Sequence, residues 1–335
     1  MSSEQESRSR GHSRGHSRGH NRGRSTWRGG RGRDLWRGFF RGGQPQRSAA
    51  KQALADIAIE TKTVLHFILK DLPNIQADKS ELLSLDTDLP PLKKEDCPSH
   101  DKVAIKVVKE DTFNAAMTMM AFDDPNTTGK DKATRVAVLN LASDTSPGGG
   151  WLNGAMAQEE ALCYRSSLSL SLHKTYYPWG PLQGVYTRDV VIIRTSTDNG
   201  HKLLAPDTPA GQLPVVSVLS VAAIRRPKLS DAQVLGSGAA RKIFAEKDDR
   251  ESTKKKMRLV LRMAASRGHD RIVLGALGCG AFRNPVEEVA GCWKEVLEED
   301  EFGGGWWREV VFAVFDGKSE GNFGVFETAL GGLEI

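Results

Sequence analysis

The sequence is poor in cysteine and has no long hydrophobic run. Its four cysteines, Cys97, Cys163, Cys279 and Cys292, form no C-x-x-C pair, which argues against a disulfide framework and against a cysteine-rich zinc site. The longest apolar run, 213–224, is too short to span a bilayer, and the first ten residues lack the apolar core of a secretory signal. We therefore expect no membrane association and an intracellular location, in the nucleus, the cytoplasm or both.

Lysine is absent from residues 1–47, whereas arginine is abundant there. The segment has twelve arginines against three acids, a net charge of +9, so residues 48–335 carry −4 of the chain's +5. The unit SRGH occurs three times, and Arg-Gly pairs follow it. Because such a segment buries too little apolar surface to offset its ordering entropy, we predict that 1–47 is a disordered RG-rich tail. Its arginines and aromatic residues are typical of contact with RNA or another polyanion, although a soluble spacer or a modification tail has the same composition.

Short Val- and Ile-rich runs alternate with helical patterns from residue 48 onward, where we predict a single α/β domain, 48–335. Helices are predicted at 49–70, from 158 onward, at 252–268 and at 284–297. Strands are predicted at 135–143, 190–195, 215–221, 271–277 and 309–315, and 71–101 is predicted as loop. The runs lack polar alternation, which indicates strands covered on both faces. The pattern thus predicts a three-layer α/β/α fold with a mixed, largely parallel sheet and a helical extension at 48–100.

Two of the predicted strands run into glycine clusters, and ligands of such sheets bind beyond the strand C-termini. The first cluster is Gly148-Gly149-Gly150, and the second contains Gly275, Gly278 and Gly280. Glycine lets a backbone approach a ligand closely and offers unhindered N–H donors to phosphate. Each cluster alone is also consistent with a tight βα turn, and neither matches the dinucleotide fingerprint or the P-loop. Together they predict two loops that bind one pyrophosphate.

A pair of acids opens the helix that follows the first glycine cluster. Seven residues separate Gly150 from Gln158, which is followed by Glu159 and Glu160. The helix dipole by itself favours acids at this position. However, two carboxylates in a partly dry pocket raise each other's pKa, so that one can act as an acid near neutral pH, as glycosidic cleavage requires. The sequence contains no G-x-S-x-G, H-E-x-x-H or H-x-E…P-C-x-x-C motif.

These residues resemble the signature of the microbial, or bacterial-type, poly(ADP-ribose) glycohydrolases. That family carries G-G-G, six to eight residues, then Q-E-E, on a macrodomain-like fold. The run GCGAFRN, residues 278–284, is similar to a second loop of the family, with Ala281 where the family often has valine. The similarity extends over roughly 100–330, and the RG-rich tail lies outside it.

The resemblance implies hydrolysis of the ribose–ribose O-glycosidic bonds of poly(ADP-ribose), with release of ADP-ribose from the free chain end and without a metal or cofactor. The expected partners are poly(ADP-ribose) or ADP-ribosylated proteins as substrates. Glu160 matches the catalytic acid/base of the family, and Glu159 matches the neighbour that holds the distal ribose. The candidate substrate-binding residues are Asn140, Gly148, Gly149, Gly150, Asn153, Gln158, Gly278, Cys279, Gly280, Ala281, Phe282 and Asn284.

A single carboxylate fits this chemistry better than a pair. Most glycosidases use two carboxylates on opposite sides of the scissile bond, whereas adjacent residues of one helix do not face each other. One glutamate that serves first as acid and then as base is therefore expected. Two alternatives remain open: removal of a single ADP-ribose from a protein or nucleic-acid end, and non-catalytic binding of ADP-ribose.

Overall fold

The computed structural model describes residues 48–121, 134–233, 240–317 and 321–335. The prediction of a disordered tail over 1–47 lies outside these residues. The helices are α1 (Ala49–Ile68), α2 (Thr112–Ala121), α3 (Gln158–Arg165), α4 (Lys247–Ser266), α5 (Val286–Leu297) and α6 (Asn322–Leu330). The strands are β1 (Glu81–Ser84), β2 (Lys106–Val108), β3 (Ala137–Leu141), β4 (Gln183–Val191), β5 (Val215–Val221), β6 (Leu229–Gln233), β7 (Ala240–Phe244), β8 (Arg271–Leu274) and β9 (Glu309–Ala313).

Seven of these strands form one mixed sheet in the order β1-β4-β5-β3-β8-β9-β2. β3 lies at its centre and pairs in parallel with both β5 and β8. β9 and β2 continue the parallel part, whereas β4 and β1 are antiparallel to their neighbours. β6 and β7 form a separate antiparallel hairpin. The predicted mixed, largely parallel sheet is confirmed.

Helices cover both faces of the sheet because successive strand residues point to opposite sides. Leu139 of β3 packs in a cluster with α4, α5 and α6, whereas Val138 packs in a second cluster with α1, α2 and α3. The same alternation separates Phe312 from Val311 on β9. This arrangement explains the unbroken apolar runs of the sequence and confirms the three-layer α/β/α architecture.

The sequence patterns located some elements well and others poorly. The predicted strand 215–221 has the bounds of β5. The prediction of loop throughout 71–101 was wrong, since β1 lies within it as a short edge strand. The strand predicted at 190–195 was also misplaced, because β4 ends at Val191 while Ile192 and Ile193 are buried outside the main sheet ladder. The patterns missed β2, α2, the β6–β7 hairpin and α6.

The central parallel strands determine where a site can form. β5, β3 and β8 are neighbours and run in the same direction, so the loops that follow them meet at one edge of the sheet. This carboxyl edge is where ligands bind in open α/β sheets. None of the helices in the described residues is both long and apolar enough to cross a membrane.

Candidate active site

The glycine loop after β3 folds closely against α3. Gly148 and Gly149 have positive φ angles of 69° and 59°, which L-residues with a side chain rarely adopt. A Cβ on Gly149 would lie 2.4 Å from Oε1 of Glu160, and a Cβ on Gly148 would lie 2.8 Å from Cδ1 of Trp151. Both the backbone conformation and the close approach therefore require glycine here.

Glu160 is held by that loop at the start of α3. Its side chain is only 8 % exposed, and its Oε1 accepts a hydrogen bond of 2.9 Å from the backbone N–H of Gly150. This bond fixes one carboxylate oxygen on the third glycine of the G-G-G run. The glycine cluster and the acid pair, which are neighbours in the sequence, are thus in direct contact in the structure.

Glu159 is buried more deeply, with 3 % of its surface exposed. Its Oε2 accepts a hydrogen bond of 2.8 Å from the N–H of Ser143. Burial raises the pKa of Glu159 to about 8, and the charge of Glu160 adds to this, while the hydrogen bond from Ser143 N–H opposes it. The two carboxyl groups therefore sit in different environments, and Glu159 is mostly protonated at neutral pH.

This raised pKa predicts a pH dependence of stability. Relative to a carboxyl of pKa 4.5, the folded state binds the Glu159 proton more tightly, so the free energy of unfolding falls as the pH rises from about 4.5 to about 8. Glu159→Gln removes this titration. The stability of the variant relative to the wild type should increase by on the order of 1 kcal/mol per pH unit in this window. Denaturant unfolding of both proteins at pH 5, 6, 7 and 8 measures the difference, and parallel profiles would contradict it.

Asn140 lies buried at the carboxyl end of β3, beside Glu159. Its Nδ2 donates a hydrogen bond of 3.0 Å to Oγ of Ser220 on β5. Oδ1 of Asn140 and Oε1 of Glu159 are both buried and have no partner among the described residues. Buried oxygens of this kind are rarely left without a donor. A proton on Glu159 or a donor group of a bound ligand would complete these contacts, so the two atoms mark a polar patch at the carboxyl edge.

Gln158 has a different environment from the two acids. Its Oε1 accepts a hydrogen bond of 2.8 Å from Leu141 N–H, and its Nε2 donates to Leu139 O at 2.7 Å and to Thr112 Oγ1 at 3.1 Å. The side chain thus joins the start of α3 to the end of β3 and to α2. Gln158, predicted to bind substrate, makes these three contacts within the protein, and its binding role stays a prediction.

The second loop, 278–284, is built around Asn284. Gly278 has a φ of 78°, and a Cβ there would lie 2.4 Å from Nδ2 of Asn284 and 2.5 Å from Cβ of Ala223. The same Nδ2 donates to Ile224 O at 2.7 Å and to Gly278 O at 3.2 Å. Asn284 therefore connects the loops after β5 and β8, so its amide is engaged by the protein rather than directed at a ligand.

The middle of this loop offers backbone donors. Within the described parts of the chain, the N–H groups of Gly280, Ala281 and Phe282 make no hydrogen bond to protein. Gly280 and Ala281 are exposed, and Phe282 is half-buried. Successive free N–H groups in a turn are the type of donor that binds anions, so the diphosphate loop stays a prediction. Cys279 is buried instead, and burial raises the pKa of its thiol.

Asn153 is an outlying member of the predicted set. It ends the short 3-10 turn Trp151–Asn153 after the glycine loop and is exposed. Its backbone N–H donates to Gly150 O at 2.9 Å. The turn packs against α1, because a Cβ on Gly154 would lie 2.0 Å from Lys51 O.

The structure also reveals aromatic residues that the sequence analysis missed. The hydroxyl of Tyr177 is buried without a protein partner in the described residues, and burial and the charge of Glu159 raise its pKa. The centres of the Tyr177 and Trp179 rings lie 4.7 Å apart. The backbone N–H of Trp179 donates a hydrogen bond of 3.1 Å to Asp144 O, next to the glycine loop. Phe315, 59 % exposed, follows β9 at the carboxyl edge. The run TYYPWG was the available sequence signal for the first two.

The comparisons with known proteins agree with this geometry. The family model that matches is "Microbial-type PARG, catalytic domain", over residues 49–194, where PARG denotes poly(ADP-ribose) glycohydrolase. Residues 49–194 are thus similar to the catalytic domain of the microbial-type PARG family. The PARG match includes the glycine loop and both glutamates, while the second loop follows further along the chain. No curated protein sequence matches the chain.

Solved PARG structures share the fold. The chain is similar to PARG from Thermomonospora curvata, with 24 % identity, coverage of 83 % of this chain and 99 % of that chain, and a TM-score of 0.63. It is also similar to PARG from Deinococcus radiodurans in complex with ADP-ribose, with 26 % identity, coverage of 76 % and 94 %, and a TM-score of 0.56. The PARG fold therefore extends over most of the chain.

Proposed function

We propose that the protein is a poly(ADP-ribose) glycohydrolase that cleaves ribose–ribose O-glycosidic bonds and releases ADP-ribose. The observation that carries the proposal is the hydrogen bond from Gly150 N–H to Glu160 Oε1 within a PARG-type domain. This bond holds the carboxylate of Glu160 against the glycine-rich loop that follows the central strand β3. The similar structure from Deinococcus radiodurans was solved with ADP-ribose bound, which supports the ligand class.

In the proposed reaction, Glu160 performs both proton transfers. With Oε1 held by Gly150, Oε2 gives its proton to the ribose oxygen that leaves C1″ as the glycosidic bond breaks. A water molecule then adds to C1″, and its proton returns to the Glu160 carboxylate. Atoms and charge balance over the cycle, and one carboxyl group suffices.

The surrounding groups position the substrate for that step. Asn140 and Glu159 face the hydroxyls of the terminal ribose, because their buried oxygens have no protein donor in the described chain. The free N–H groups of residues 280–282 bind the pyrophosphate. The resemblance to microbial-type PARG further suggests attack from the free end of the polymer.

Product analysis tests the proposal directly. Labelled poly(ADP-ribose) incubated with the protein should yield free ADP-ribose from the start of the reaction, separated by thin-layer chromatography. Release of ADP-ribose from mono-modified protein alone would favour the mono-ADP-ribosyl hydrolase alternative. Binding of ADP-ribose without any product would favour the non-catalytic alternative.

For the RG-rich tail, we infer a role in binding RNA or another polyanion, such as the polymer itself. Its twelve arginines and no lysines provide planar donors that pair with phosphates. Deleting 1–47 should leave turnover on short oligomers unchanged, because the proposed site lies in residues 140–284. The same deletion should weaken the salt-sensitive retention of long polyanions. Filter binding at low and high salt measures this effect, and equal retention by both proteins at low salt would rule out the role.

A further inference from the structure

Three exposed arginines belong to the two loops that meet at Phe282, at the carboxyl edge of the sheet, and we call Arg225, Arg226 and Arg283 the arginine rim. The guanidinium carbon of Arg225 lies 5.0 Å from the centre of the Phe282 ring. The backbone N–H of Arg226 donates a hydrogen bond of 2.8 Å to Phe282 O. Arg283 follows Phe282 directly in the chain. The rim therefore joins the loop after β5 to the loop after β8.

Within the described residues the arginine rim has no acidic partners, in contrast to the arginines of α4. All three rim residues are exposed, and among the described residues none forms an ion pair. By contrast, Arg258 on α4 pairs with Glu299 at 2.7 Å, and Arg262 pairs with Glu301 at 2.6 Å. A guanidinium group without an acidic partner keeps its positive charge available for an anionic ligand.

The backbone holds the rim in place at a conformational cost. Arg226 and Arg283 have φ angles of 50° and 57°, in the left-handed region that residues with a side chain rarely occupy. Asn284 fixes both loops by donating to Ile224 O and Gly278 O. The rim thus lies on a defined loop pair beside the free N–H groups of residues 280–282, rather than on a random surface patch.

The chemistry of the substrate suggests what the rim binds. A guanidinium group presents a planar fork of donors that matches phosphate oxygens. A single ADP-ribose carries one diphosphate, for which the N–H groups of residues 280–282 already provide donors. Poly(ADP-ribose) repeats a diphosphate with every unit, so a chain held at this edge brings a second diphosphate outside the pocket.

We propose that the arginine rim binds the diphosphate of the ADP-ribose unit next to the terminal one, so that the protein recognises a chain in preference to a single unit. This inference rests on the proposed glycohydrolase function and adds a second phosphate site to it. Arg225 contacts the pyrophosphate loop through the Phe282 ring, and Arg283 is part of that loop.

The test uses the full chain with Arg225→Gln/Arg283→Gln. The matched control is Lys62→Gln/Lys70→Gln on and just after α1, which removes the same charge and also breaks a cation–π contact, since Lys70 lies 5.5 Å from the Phe67 ring centre. The measurements are Kd for ADP-ribose by calorimetry, and kcat and KM for long and dimeric poly(ADP-ribose) over a range of salt concentrations.

The rim variant should raise KM for long and dimeric polymer by about tenfold at low salt, with kcat within about twofold. It should reduce the slope of log(kcat/KM) against log salt concentration by about 1.5, because two phosphate contacts are lost. Its Kd for ADP-ribose should stay within about twofold, and the lysine control should match the wild type throughout. An equal loss of ADP-ribose affinity would assign the rim to the terminal diphosphate and overturn the proposal. An unchanged KM for polymer would also overturn it, whereas a wild-type protein without turnover would refute the glycohydrolase function itself.

Discussion

Glu160→Gln is expected to lower turnover on poly(ADP-ribose) by at least ~10²-fold while changing ADP-ribose affinity by less than about tenfold. A glutamine has nearly the same shape as the glutamate and can still accept the hydrogen bond from Gly150 N–H. It cannot give up a proton to the leaving ribose oxygen or take one from water. The variant therefore loses an interaction that matters only in the transition state, which lowers kcat more than binding.

The measurement combines calorimetry with a polymer assay on the same preparation. Glu298→Gln is the matched control. Glu298 is exposed at the C-terminal end of α5, so this substitution removes one carboxylate at a position remote from the site. It should retain wild-type turnover and affinity. Full turnover by Glu160→Gln would refute the assignment of the acid/base to this residue. A loss of ADP-ribose binding equal to the loss of turnover would instead indicate that Glu160 holds the ligand.

The local parts of the site could be predicted from the sequence because each is encoded within a few residues. Three consecutive glycines indicate a close backbone approach, and Glu159 and Glu160 at a helix start indicate a carboxylate pair near it. The structure joins the two through the Gly150–Glu160 hydrogen bond. The apolar runs also predicted the sheet, since burial on both faces removes the polar alternation.

The remaining parts depend on contacts between distant segments, which no local pattern contains. The position of Gln158 in the Q-E-E run predicted a ligand contact, yet its side-chain amide hydrogen-bonds to the backbone of β3 and to Thr112. Asn284 likewise serves the loop after β5, sixty residues earlier in the chain. β1 is only four residues long and is stabilised by pairing with β4. The different environments of Glu159 and Glu160 also arise from burial, which their adjacent positions in the sequence do not reveal.

Gly149→Ala is expected to reduce turnover by about 10²-fold or more, because the added methyl group would collide with the carboxylate of Glu160, the proposed acid/base. The new Cβ would lie 2.4 Å from Oε1 of Glu160 and 3.2 Å from Oε2 of Glu159. Glu160 must move, and it then loses the hydrogen bond from Gly150. A displacement of about 1 Å in a catalytic group is enough for an effect of this size. The φ of 59° adds a strain of roughly 1–2 kcal/mol to the folded state.

Gly200→Ala separates the strain from the displacement. Gly200 has a φ of 77°, and no atom lies within 4 Å of the place that an added methyl group would take, so alanine there introduces the same left-handed strain without a collision. Both variants should lower the melting temperature, but only Gly149→Ala should lower kcat on poly(ADP-ribose), as thermal unfolding and the polymer assay measure. If Gly149→Ala kept more than about a third of wild-type turnover, the position of the Glu160 carboxylate would not control the reaction. If both variants lost turnover in proportion to stability, strain alone would explain the requirement for glycine. We expect both variants to lose stability but only Gly149→Ala to lose kcat. The reason is that the methyl group at position 149 collides with Glu160, the proposed acid/base, whereas the methyl group at position 200 touches no atom.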